Sequence, residues 1–118
     1  MCSSDLRKAL ARGAEKGPLL AARLGRALLR LGRQKEAATT INDALRRHPA
    51  HASLLVLQAR VLLAQGQSRA ALEAADKAAW INPFDPGIHR TSRQAWLNLG
   101  DKERAAAAML REKKLTAP

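Results

Sequence analysis

The feature that most constrains this 118-residue chain is an internal repeat with a period of 34 residues. Three segments, 18–51, 52–85 and 86–118, align without gaps. The recurring positions are Gly32, Gly66 and Gly100; Ala37, Ala71 and Ala105; Leu29, Leu63 and Leu97; and Pro49 and Pro83. A period of this length indicates a solenoid, in which each unit buries its apolar face only by stacking on its neighbours.

Each unit is predicted to contain two helices joined by a turn at the recurring glycine. In the third unit, apolar residues at helical spacing run from Ile88 to Leu99 and stop at Gly100. A glycine at that point can adopt the left-handed conformation that ends a helix. Asp85 and Pro86 form a start signal for this unit, with aspartate as the N-cap and proline at the first helical position.

The composition supports an all-α fold. Hydrophobic residues make up 47% of the chain, mostly alanine and leucine, while aromatic residues make up 3%. Alanine and leucine lead the scale of helix propensity, whereas β-branched and aromatic residues favour strands. The most apolar stretch is interrupted by Gln58 and Arg60, so no membrane span is predicted. The formal net charge of +11 predicts attraction to acidic peptides, nucleic acid or anionic surfaces.

The repeat pattern resembles that of the tetratricopeptide repeat family, whose unit is a helix-turn-helix of the same length. Leu24 and Gly25 match the leucine and small residue of the family's first helix. Other matches are the large residues Leu28, Leu62 and Trp96, the turn glycines, the alanines Ala44 and Ala78, and the closing prolines. The resemblance covers residues 18–118 and implies an α-solenoid of about three repeats that binds another protein.

The third unit departs from the family pattern at three positions. Ser92 and Arg93 replace the leucine and small residue of the first helix, and the bulk of Arg93 opposes tight pairing of the two helices unless its stem packs and its head reaches solvent. Glu112 stands where the earlier units have Ala44 and Ala78, at a position expected to face a following repeat. A charge there predicts that residues 86–118 are the C-terminal end of the array.

The first residues are predicted to lie outside the complete repeats. Residues 7–17 resemble the last turns of a second helix from a preceding unit. Residues 1–6, MCSSDL, match letter for letter the translation of the end of a common sequencing adapter, with GTG as the start codon. We therefore predict that residues 1–6 are an assembly artefact, that Cys2 has no role, and that the chain is the tail of a longer protein.

The sequence contains no arrangement of side chains that predicts catalysis or metal binding. Its three histidines, His48, His51 and His89, have no accompanying cysteine or paired carboxylates. No phosphate-binding glycine motif is present. We therefore expect no enzyme activity, no metal and no cofactor. The compartment is undetermined, with the cytoplasm favoured.

The candidate binding residues follow from the resemblance, which implies that the first helix of each unit lines a concave groove. The implied partner-binding residues are Arg26, Leu29, Arg30, Arg60, Leu63, Arg90, Gln94, Leu97 and Asn98. Arginine can donate two parallel hydrogen bonds to a carboxylate, so an acidic or C-terminal peptide is the expected ligand. The alternative is that these arginines are merely solvated, in a chain that is rich in arginine.

Other functions are also compatible with the sequence. A charge-driven nucleic-acid-binding module is one, although stacking aromatic residues are not interleaved with the basic ones. A docking tail of a larger enzyme or secretion-system protein is another. The family's co-chaperone carboxylate clamp is not reproduced. Trp80 and Phe84 flank the turn at Asn82 and Pro83 and are predicted to pack the junction between the second and third units.

Overall fold

The computed structural model describes residues 17–116, and this part of the chain forms six helices and no strand. The helices are α1 (Pro18–Arg30), α2 (Gln34–Arg47), α3 (Ala52–Ala64), α4 (Ser68–Ile81), α5 (Pro86–Asn98) and α6 (Lys102–Thr116). The predicted all-α solenoid is confirmed. The predicted artefact at 1–6 and the predicted remnant helix at 7–17, except for its last residue, lie outside the described residues.

The first helix of each pair ends in the same glycine turn. The backbone φ angle is positive at all three glycines: 77° at Gly32, 79° at Gly66 and 82° at Gly100. In the first pair, the Arg33 N–H donates to the Leu28 carbonyl at 2.9 Å, and the Gly32 N–H donates to the Leu29 carbonyl at 3.1 Å. The other two turns repeat both bonds. This is the Schellman arrangement, and the predicted role of the three glycines is confirmed.

Replacement of Gly66 by alanine is expected to lower the free energy of unfolding by about 1–2 kcal/mol, because an L side chain is strained at a φ of +79°. Nothing lies within 4 Å of the added methyl group, so the cost is conformational and not steric. Urea denaturation measures the change. The matched control is Gln65→Ala at the preceding exposed residue, where φ is −87°. An equal loss in both variants would contradict the expectation.

The start of α5 also follows the sequence signal. The Asp85 side chain accepts a hydrogen bond from the Gly87 N–H at 2.8 Å, and Pro86 occupies the first helical position. The carboxylate thereby satisfies one of the free N–H groups at the helix start. Gly17 and Pro18 occupy the same places before α1, without a side-chain cap.

The helices stack in two layers. Each first helix packs on the second helix of its own pair, and each second helix packs on the first helix of the next pair. The first helices α1, α3 and α5 also contact one another in succession, whereas the second helices α2, α4 and α6 of the described chain do not. Closer packing within one layer curves the array towards that layer, so α1, α3 and α5 form its concave side.

Two clusters of small and aliphatic side chains join the pairs. The first includes Leu28, Ile41 and Leu57, which are at most 1% exposed, and connects α1, α2 and α3. Gly25 permits this close approach, because a Cβ atom there would lie 2.8 Å from Ile41 Cγ1. The second cluster connects α3, α4 and α5, and Ala78 is fully buried in it.

The prediction for Trp80 and Phe84 was wrong. Their side chains do not fill the junction between the second and third units, since Trp80 is 89% exposed and Phe84 is 74% exposed. Buried alanines of α4 together with Val56 and Ile88 occupy that junction. Residues this small bring the helices close together and leave no space for an aromatic ring. The Phe84 N–H instead donates to Asn82 Oδ1 at 3.2 Å within an open turn.

Candidate functional site

The predicted binding residues lie on the three helices of the concave layer. Arg26, Leu29 and Arg30 are on α1, Arg60 and Leu63 are on α3, and Arg90, Gln94, Leu97 and Asn98 are on α5. Residues one repeat apart occupy the same register on adjacent helices, so Arg26, Arg60 and Gln94 form one row across the layer. With helices 8–10 Å apart, this row spans about 20 Å.

The structure places Arg26, Arg30 and Arg90 near Arg60. Partial desolvation of the Arg60 guanidinium lowers its pKa, and the positive charges of Arg26, Arg30 and Arg90 lower it further, in that order. Within residues 17–116, none of Arg26, Arg30 and Arg60 has a carboxylate within ion-pair distance. These three residues, hereafter the arginine triad, concentrate positive charge that the described part of the protein leaves uncompensated.

A leucine follows three residues after each member of the row formed by Arg26, Arg60 and Gln94. Leu29 and Leu63 are half-buried, and Leu97 is 47% exposed. They present an apolar strip beside the arginine triad. A basic surface next to an apolar strip can bind a peptide through both its charged and its aliphatic side chains, because the apolar strip adds burial energy to the charged hydrogen bonds.

The third unit neutralises part of its own charge. Arg90 Nε donates to Glu112 Oε1 at 2.9 Å, and Arg93 Nη1 lies 3.2 Å from Glu112 Oε2. The hydrogen bond from Arg90 and the charges of both arginines hold the pKa of the Glu112 carboxyl below its ordinary value, although desolvation opposes them. The Glu112 side chain is only 14% exposed, so its carboxylate lies against α5 instead of extending away from the array.

The contact of Glu112 with α5 is what sequence reasoning missed. Arg93 was expected to extend its head to solvent, and the structure pairs that head with a carboxylate on the neighbouring helix. The signal was present in the sequence: in the third unit alone, two positions that are otherwise small carry opposite charges. The third unit thus has an ion pair at two positions where the earlier units have buried small residues, Gly25 and Ala59 on the first helices and Ala44 and Ala78 on the second.

Two amide side chains of α5, those of Gln94 and Asn98, bond to each other. Gln94 Nε2 donates to Asn98 Oδ1 at 3.1 Å, one helical turn away, and both residues are exposed. The α5 part of the concave layer therefore presents neutral amide groups where α1 and α3 present arginines.

Two kinds of feature are absent from the described residues, a cluster of metal ligands and a membrane-spanning helix. Between residues 17 and 116, no three His, Cys, Asp or Glu side chains cluster as metal ligands would. None of the six helices has the length and apolarity that a bilayer crossing requires.

A sequence model described as tetratricopeptide repeat matches residues 22–86, more than half of the chain. The chain belongs to the tetratricopeptide repeat family. The helix pairs, the glycine turns and the two-layer stack are the features of this repeat that the structure displays. An architecture of this kind is consistent with a module for protein–protein interaction. No curated protein matches the sequence significantly.

Solved structures share the same fold at low identity. MamA of strain MSR-1 superposes with a TM-score of 0.75 at 17% identity, covering 93% of this chain and 63% of MamA. The Yersinia enterocolitica type III secretion chaperone SycD, solved with a peptide of the translocator YopD, gives 0.74 at 14% identity, covering 82% of this chain and 74% of SycD. The globular C-terminal domain of P. aeruginosa LpoP gives 0.71 at 26% identity, covering 80% of this chain and 93% of that domain.

Proposed function

We propose that this tetratricopeptide repeat array binds an acidic peptide segment of a partner protein on the concave layer formed by α1, α3 and α5. The observation that carries the proposal is the arginine triad. Arg26 and Arg30 lie close enough to Arg60 to lower its pKa, and no carboxylate of residues 17–116 pairs with any of these three arginines. A ligand that brings carboxylates relieves this repulsion and forms charge-assisted hydrogen bonds.

Two further observations support a peptide as the ligand. The leucines beside the triad offer an apolar strip that a simple anion would leave uncovered. SycD, which has the same fold, was solved with a peptide of YopD. An extended chain of about six residues covers the 20 Å between α1 and α5. The proposed ligand is therefore a short extended segment, with acidic side chains for the triad and aliphatic side chains for the leucines.

The test uses a fluorescein-labelled peptide of six glutamates and measures anisotropy at a fixed ionic strength. Replacing Arg26 and Arg60 together by glutamate is expected to weaken binding at least about 100-fold, because two charge-assisted hydrogen bonds are lost and two repulsions are added. The matched control replaces Arg69 and Arg111, both exposed residues of second helices, by glutamate. Each double variant changes the formal net charge from +11 to +7.

The control separates a specific site from general attraction. Equal weakening in both double variants would show that net charge alone drives binding and would overturn the proposal. A six-nucleotide oligothymidine tests the nucleic-acid alternative. Tighter binding of the oligonucleotide than of the peptide, with a steep loss of affinity as salt rises, would replace the proposal with nucleic-acid binding. Circular dichroism of each variant checks that helicity is unchanged.

A further inference from the structure

We infer that the groove is polarised: its anion-binding site is confined to the arginine triad, and Glu112 suppresses acid binding at α5, so the ligand carries its acidic residues at one end only. The inference rests on the proposed function and adds the ligand's charge pattern. The inference follows from a difference between the arginines: Arg90 and Arg93 already form ion pairs with a carboxylate, whereas the arginine triad does not within the described part of the chain.

The charges of the two ends differ. Arg26, Arg30 and Arg60 together carry three positive charges, with no carboxylate of residues 17–116 beside them. Arg90, Arg93 and Glu112 together carry one, because Glu112 binds both arginines. An acidic ligand residue at α5 would have to compete with a carboxylate that is tethered to the same protein and therefore present at a high effective concentration.

Uncharged side chains on α5 add to the difference between the two ends of the groove. Gln94 and Asn98 are exposed amides one and two turns further along α5 than Arg90, and Leu97 is the most exposed leucine of the apolar strip. Amides bond to peptide backbone and to neutral side chains without a preference for charge. The α5 end thus suits neutral polar or aliphatic residues, and the complementary ligand is an extended peptide whose acidic cluster is followed or preceded by such residues.

The experiment compares two six-residue peptides on the full chain: one with three consecutive glutamates and three neutral residues, and one with six glutamates. The unmodified protein is expected to bind the six-glutamate peptide only about fourfold more tightly than the three-glutamate peptide. This is the statistical factor for the four registers in which six glutamates can occupy a three-residue site. In Glu112→Gln, which removes the charge and keeps the shape, Arg90 is released. The ratio of the two affinities is then expected to reach about 40-fold, because one additional charge-assisted hydrogen bond multiplies the fourfold statistical factor by about ten.

Matched variants locate the site. For the three-glutamate peptide, Arg60→Ala is expected to weaken binding about tenfold or more, and Arg90→Ala less than about threefold. Asp43→Asn is the control for Glu112→Gln, because it also removes one carboxylate charge from an ion pair, that with Arg46 on α2. It is expected to leave the ratio between the two peptides at about fourfold. Thermal unfolding verifies that each variant is folded.

The outcomes distinguish the inference from the proposed function. A gain of about 40-fold in the unmodified protein, or equal losses in Arg60→Ala and Arg90→Ala, would overturn the polarity while leaving acidic-peptide binding intact. A ratio that stays at fourfold in Glu112→Gln would also overturn it. If neither Arg60→Ala nor the double variant of Arg26 and Arg60 weakens the peptides, the proposed function itself fails.

Discussion

Replacement of Ile41 by alanine is expected to lower the free energy of unfolding by about 2–5 kcal/mol, because the change removes buried methyl groups and leaves a cavity. Ile41 is completely buried between α1, α2 and α3. It also faces Gly25, where an added Cβ atom would lie only 2.8 Å from Ile41 Cγ1. Loss of Ile41 therefore weakens both the first helix pair and its junction with the second.

Ile81→Ala is the matched control, since it makes the same chemical change at a residue that is 46% exposed at the end of α4. Its expected cost is below about 1 kcal/mol, because less apolar surface is returned to water. Urea denaturation followed by circular dichroism measures both variants. Similar losses at the two positions would mean that the α1–α2–α3 cluster does not carry the stability of the array.

Replacement of Ala78 by glutamate is expected to destabilise the array by about 3–5 kcal/mol at pH 7, because it places an unpaired charge in an apolar junction. Ala78 is completely buried among residues of α3, α4 and α5. Desolvation raises the pKa of the introduced carboxyl in the folded state, so the folded protein binds its proton more tightly than the unfolded chain. The destabilisation should therefore diminish as the pH falls from 7 to 4.

Lys77→Glu is the control for Ala78→Glu, because it introduces a glutamate at the adjacent exposed residue of the same helix. It is expected to change stability by less than about 0.5 kcal/mol. The measurement is urea denaturation at pH 7 and pH 4. A loss at Ala78 that is the same at both pH values would indicate overpacking instead of a buried charge.

Glu112 occupies the register of Ala78 one repeat later, yet its charge has the opposite consequence. Arg90 and Arg93 lower its pKa below the ordinary 4.5, so the folded state holds its proton less tightly than the unfolded chain. Its contribution to stability is present above that value and is lost as the pH falls through the lowered pKa. The same residue type at equivalent positions thus stabilises or destabilises according to the charges that face it.

Much of the fold could be predicted because its signals are local. Helical periodicity, the turn glycines and the Asp85 cap depend on residues within one or two turns of the chain. The repeat then extends these local predictions to the stacking, because equivalent residues must make equivalent contacts. The same logic predicted that Arg26 and Arg60 lie in one row across adjacent helices.

The sequence by itself determined the helices, their turns and the register that brings the concave residues together, because each depends on spacing along the chain. Only the tertiary structure decided where Trp80 and Phe84 lie and what Glu112 contacts. The location of the two aromatic side chains depends on how closely the alanine-rich helices approach each other. The contacts of Glu112 depend on which side chains of α5 lie within reach of α6. Both are distances between segments far apart in sequence, and those distances determine which charges of the groove are already paired and which can bind a ligand.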